Sequence, residues 1–209
     1  MERRELLKMI AILTGGTVIG GDLFLSGCTS GSSTGGKEFS AGNIALLDEV
    51  GETIMPTTSS PGAKAAKIGE FMKLMVTDCY NQDQQKVFTE GMAGFDEACK
   101  KASGKTFMDS NPAERKAFLI TLEKEAKEYN KKRDENQKAA KEKAEQVMDP
   151  NFVSAPSHYY TMMKQLTLLG YFTSEIGCKE VLRWDPKLPV PGHYDGALPY
   201  KKGDKAWAI

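Results

Sequence analysis

Histidine is scarce in this sequence: 209 residues hold His158 and His193 and no others. None of the four cysteines stands in a C-x-x-C pair, and no histidine lies at ligand spacing from one. Both absences argue against a zinc or iron–sulfur site built from this chain alone. There is no G-x-S-x-G, no glycine-rich phosphate loop and no dinucleotide fingerprint, so the common nucleophile and nucleotide motifs are missing. Charge of one sign is missing too. Lys and Arg number 28, as do Asp and Glu, and the pI is about 6.7. Nothing here suits a nucleic acid or an anionic lipid surface as partner. No apolar run approaches the ~20 residues that a spanning helix needs, and no stretch alternates as a strand does.

What is present begins with "MERRELLKMIAILTGGTVIGGDLFLSGC". Arg3 and Arg4 form a basic start, and a moderate apolar stretch follows, broken by Gly15, Gly16, Gly20 and Gly21. This is the layout of an export signal; an ordinary buried helix is the alternative. "ERRELLK" is similar to a twin-arginine signal, with Glu2 and Leu6 where Ser or Thr and Phe are usual, so general secretion stays open. "LSGC", residues 25–28, matches the bacterial lipobox. Cleavage there makes Cys28 the new N-terminus and the site of lipidation. One acyl chain holds a membrane only marginally, and stable anchoring needs more than one. The expected location is the bacterial cell envelope, as a periplasm-facing lipoprotein with either membrane open. "TSGSSTGGKEFSAGN" then reads as a flexible tether over residues 28–42.

The body runs from about Asn43 to Ile209, enough for one domain with a real core. Ile44, Leu47, Val50 and Ile54 recur at helical spacing until Pro56 and the loop "TTSSPG". A second helix places Ile68, Met72, Met75 and Cys79 on one face. A third, with Val87, Met92, Phe95 and Cys99, ends at Gly104. Asn111, Pro112 and Glu114 mark the start of a fourth as cap, first-turn proline and third-position acid. Its stripe is Phe118, Leu122, Ala126 and Tyr129. The charged run at 127–150 is either a solvated helix extension laced with ion pairs or a mobile insertion.

Residues 150–184 are the most apolar part, filling almost every face of a helix. A helix of that kind is buried on all sides, and in a domain this small part of the burial is expected from a partner. The tail, with Pro186, Pro189, Pro191, Pro199 and Trp207, reads as an extended arm with aromatic anchors. The expected fold class is therefore all-α: four to five helices, a charged helical excursion and an extended Pro-rich C-terminal arm.

Candidate reacting groups are few. Ser157 precedes His158, but sequence neighbours do not make a dyad. His193, Tyr194 and Asp195 offer a base and an orienter, or a turn bonded locally. Glu175 is an acid inside the apolar segment and needs a partner if buried. With Cys28 set aside, Cys79, Cys99 and Cys178 leave an odd thiol. A bond between Cys79 and Cys178 and three packed thiols are both open.

Three blocks, "LLDEVGETIMPTTSSPGAKAAKIGEFMKLMVTDCY", "LTLLGYFTSEIG" and "LPVPGHYDGALPY", in this order over most of residues 43–205, resemble the gluconate 2-dehydrogenase subunit 3 family. The resemblance implies a small helical, non-catalytic subunit of a membrane-associated sugar or polyol dehydrogenase. It implies as partner a large FAD-dependent subunit of the glucose–methanol–choline type, often with a cytochrome c subunit. FAD is then expected in the partner, and no catalytic, cofactor-binding or metal-binding residue in this chain. Its role would be to assist that subunit's folding and export, with Cys28 adding a membrane tether. Tyr171, Phe172, Glu175, His193, Tyr194 and Trp207 are the candidates for the partner interface. A free-standing helical envelope lipoprotein, and an enzyme using His193 and Asp195, are the readings from other classes.

Overall fold

The computed structural model describes residues 39–148, 152–183 and 202–206. Cys28, Arg3, Arg4, tether residues 28–38, the proline-rich stretch, His193, Tyr194, Asp195 and Trp207 lie outside the described residues. The last four tether positions are not loose: Phe39 packs against the core beside Phe88, Ser40 caps the first helix, and Ala41 and Gly42 belong to it. The fold is all-α, and among the described residues there is no strand.

Helix α1 spans Ala41–Ile54, two residues earlier than the hydrophobic spacing suggests, because Ser40 caps it by accepting from Asn43 N at 3.2 Å. Its buried side is Leu46, Leu47, Val50 and Gly51. The following loop is organised by one carboxylate: Glu52 accepts from the backbone and hydroxyl of Thr57 and from Lys64 N.

Helix α2, Ile68–Cys79, starts at Lys67, whose φ of 54° is left-handed. No side chain of its own caps it. Asp48 of α1 takes that place, accepting from Gly69 N at 2.7 Å. A Cβ at position 69 would stand 2.4 Å from Ile44 O, so only glycine lets α1 and α2 cross this closely. The buried set of α2 is Ile68, Gly69, Met72 and Val76. Cys79 is exposed, contrary to the expected face, because Val76 supplies the last inward position and the helix ends as Cys79 turns out.

Helix α3, Gln82–Ser103, opens with a capping box between Asn81 and Gln84 and closes at left-handed Gly104. It buries Phe88, Met92, Phe95 and Cys99; Phe88 takes the inward position expected of Val87. The connection to the next helix drives Phe107 into the core, edge-on to Phe95 with 5.2 Å between centroids. Arg115 holds it there, donating to the carbonyls of Phe107 and Met108 and to Glu49 of α1.

Helix α4, Pro112–Val147, begins as the sequence suggests, with Asn111 and Glu114 in a reciprocal box and Pro112 in the first turn. At 36 residues it is about 54 Å long. Its first half buries Phe118, Leu119, Leu122 and Ala126. Beyond Ala126 it runs on as the solvated extension. Tyr129, expected in the core stripe, is exposed on the way out and meets the ring of His158 edge-on at 5.5 Å.

Helix α5, Tyr159–Thr173, touches every other helix among the described residues. That central place explains its composition: neighbours on several sides ask for apolar residues on several faces. After it, Gly177–Val181 winds as a single wide π-turn. Residues 202–206 come back to the end of that turn, where Arg183 N donates to Ala206 O at 2.7 Å and Lys205 Nζ reaches Glu180 O. The described cysteines are free thiols. Phe71 lies against Gly170, so the start of α2 meets the end of α5. Cys79, at the far end of α2, is about 12 Å further along the helix axis, while Cys178 sits in the π-turn.

Candidate partner interface

The C-terminal half of α5 carries the main concentration of interface candidates that can be placed. They divide sharply. Tyr171 is a core residue, only 2 % exposed; its hydroxyl donates to Pro61 O in the α1–α2 loop. This corrects its assignment to an interface: the side chain points inward, where burial of the ring and one satisfied hydroxyl favour it. Phe172, half-buried, packs at 5.2 Å against Tyr171 and keeps part of its ring at the surface. Glu175 is exposed rather than buried. Its carboxylate pairs with Lys179 one turn on, and that hydrogen bond holds its pKa below the usual carboxylate value.

Two residues not singled out for an interface emerge beside them. Leu168 is 36 % and Leu169 47 % exposed. The inward positions of α5 are Tyr160, Met162, Met163, Leu166, Thr167, Gly170 and Tyr171. What remains outward near the C-terminus is therefore Leu168, Leu169 and Phe172. Helix α4 runs antiparallel alongside, as Asn130 donates to Thr161 and Glu123 pairs with Lys164. Ile120 lies a turn before Glu123 and Leu168 a turn after Lys164, so both stand at the same level of the seam. Ile120 is 48 % exposed. The result is an apolar strip bordered by charge: Lys164 and Lys127 both bind the Glu123 carboxylate and keep its pKa low. An apolar centre with a polar rim is the ordinary anatomy of a docking surface.

The strip ends at the π-turn. A Cβ at Gly177 would sit 1.9 Å from Tyr171 O, so the turn can fold back onto α5 only with glycine there. Ser174 joins the two, donating to Tyr171 O and accepting from Gly177 N. The half-buried Cys178 thiol points to Phe172 O at 3.3 Å.

No catalytic pair forms at His158. Its Nδ1 accepts from Tyr160 N at 3.3 Å, while the Ser157 hydroxyl accepts from Arg133. Each is committed locally, and the two do not bond to each other. A polar groove of about 770 Å³ runs between the α4 extension and residues 154–157, with Arg133, Gln137 and Lys141 on its walls. It lies away from the apolar strip. Among the described residues no three His, Cys, Asp or Glu side chains are grouped to hold a metal, and no helix is long and apolar enough to cross a membrane.

The described residues thus form an all-α body whose central helix keeps Leu168, Leu169 and part of Phe172 at the surface. The profile of the family described as gluconate 2-dehydrogenase subunit 3 matches residues 41–192, from the first residue of α1 through all the described helices, and the chain belongs to that family. Among curated proteins and among solved structures nothing matches it.

Proposed function

We propose that the chain is the small, non-catalytic subunit of a membrane-associated, FAD-dependent sugar or polyol dehydrogenase. Leu168, Leu169, Phe172 and the π-turn dock on a large flavoprotein of the glucose–methanol–choline type. FAD resides in that partner, and a cytochrome c subunit joins the complex where electrons pass to the membrane. The signal bearing Arg3 and Arg4 carries the pair across the membrane, and lipidated Cys28 tethers it to the envelope. Membership of the family carries this reading. The strip supports it, since an exposed apolar face bordered by charge marks a contact site. The lipobox and the "ERRELLK" start support the route and the tether.

The test is a mild-detergent pull-down of the tagged full chain from native membranes, with an absorbance spectrum of the product. A large co-purifying chain with flavin bands is expected, with haem bands if the cytochrome is present. A lone, colourless lipoprotein would overturn the reading and favour a free-standing envelope protein.

A further inference from the structure

The junction where the α4 extension meets the start of α5 is built around His158. The residue is 8 % exposed. Its backbone N–H donates to Asn130 Oδ1 of α4, and Asn130 in turn donates to Thr161 of α5. Its ring lies between Tyr129 of α4, at 5.5 Å, and Tyr159 of α5, at 4.4 Å. Its Nδ1 accepts from Tyr160 N and so caps α5. An imidazole can accept at Nδ1 only when that nitrogen is unprotonated. The cap therefore requires neutral histidine with its proton on Nε2.

We propose that His158 is an acid-sensitive latch: protonation at Nδ1 turns the cap acceptor into a donor facing the Tyr160 N–H, and releases the first turn of α5 together with the strap at residues 152–157 from α4. The strap hangs on few other bonds. Arg133 holds Ser157, and Gln137 accepts from Ala155 N. A charge on the imidazole also has little to meet. From α4, Glu125 alone is near enough to favour it, and Tyr129 offers an uncharged ring. From α5, Tyr159 and Tyr160 stay neutral, their hydroxyl pKa values pushed up to about 12 by burial. From α3, the residue facing Tyr159 is Gly91, which has no side chain. Burial outweighs Glu125 and holds the histidine below its ordinary 6.5. With a lowered folded pKa the latch is closed above pH 6.5 and opens as the pH falls below it. The latch depends only on this chain and stands apart from the docking reading.

The experiment uses the full chain and follows backbone amide exchange, corrected for its intrinsic pH dependence, while the His158 ring is titrated by NMR. Between about pH 7.5 and about pH 5, protection at Tyr160, Met162 and Met163 should fall about fivefold, the usual worth of a helix cap, while α1 keeps its protection. His158→Asn keeps a capping acceptor that does not titrate, and its protection should stay flat. Protection that is flat in the natural protein, or that falls equally in His158→Asn, overturns the latch. If the Asn variant does not fold, the natural protein decides alone. Loss of protection must share its midpoint with the His158 ring, and separate midpoints overturn the proposal.

Discussion

Helix α5 and the second half of α4 are both regular helices, yet they are held by opposite means. Helix α5 is fifteen residues long and buries seven of them against its neighbours. Of the twenty-one positions of α4 after Ala126, only Ala144 is buried. Up to Gln137 the extension is tied to residues 155–161 by side-chain hydrogen bonds of Asn130, Arg133 and Gln137. Beyond it, what holds the helix is propensity, since Ala, Lys, Glu and Gln dominate it, and ion pairs one turn apart run along both stretches. Those pairs, Lys131–Glu135, Lys138–Glu142 and Lys141–Glu145, all place the lysine first. That is the weaker order, because it opposes the helix dipole. Stability in this protein thus sits where apolar area is removed from water, and the extension is a low-stability element attached to a high-stability one.

Substitutions can break that contrast. The largest effect is expected in α5: Leu166→Ala should cost about 2–5 kcal/mol in denaturant unfolding, the usual range for a buried leucine. Next comes the clasp between α1 and α4. Glu49 is bound by Lys64 and Arg115, which hold its pKa below the usual value. Arg115 is the better-held partner, with its side chain 16 % exposed against 55 % for Lys64. Glu49→Gln should cost about 1.5–3 kcal/mol at neutral pH, as for a charge-assisted hydrogen bond. Because the folded pKa is depressed, the contribution is complete above the unfolded value of 4.5 and vanishes as the pH falls through the folded one. Natural and variant stability curves should therefore converge in acid, and parallel curves would show that the charge is not what Glu49 supplies.

A third change separates docking from folding. Leu168→Ser with Leu169→Ser should weaken co-purification of the flavoprotein by about tenfold or more, as loss of a contact centre does, while the melting temperature of the isolated chain barely moves. A matching fall in melting temperature would make the strip core rather than interface. The smallest effect belongs to the extension. Exchanging Lys138 and Glu142 to put the acid first should add only about 0.2–0.5 kcal/mol of helix stability, read as local amide protection at low salt and lost at high salt.

The same contrast governs what the amino-acid order reveals. Where a helix has one apolar face and local punctuation, reading it is direct. Asn111, Pro112 and Glu114 mark the start of α4, Gly104 marks the end of α3, and the charged run after Ala126 is one of the two forms foreseen for it. Where apolar residues occupy every face, periodicity cannot say which face is left open. Tyr171 and Phe172 are neighbours of similar character, and only the position of α2 and the Pro61 carbonyl decides that one goes in and the other stays half out. Leu168 and Leu169 are hidden in the same way. Glu175 looks buried because its neighbours are apolar, but the chain turns after Thr173 and leaves it in water. Cys79 faces outward because its helix stops there. Each misplacement sits where a tertiary neighbour, rather than a local pattern, makes the choice.

The central helix is also the last of the five to be synthesised. Until α5 leaves the ribosome, α1 and α2 can pack on each other but the apolar surface that α5 covers on both stays open, and the bond from Tyr171 to Pro61 spans 110 residues of chain. At ordinary elongation rates that interval is on the order of ten seconds. Completion of the core must then wait for nearly the whole chain, so the nascent protein stays open, and open to chaperones, for most of its synthesis.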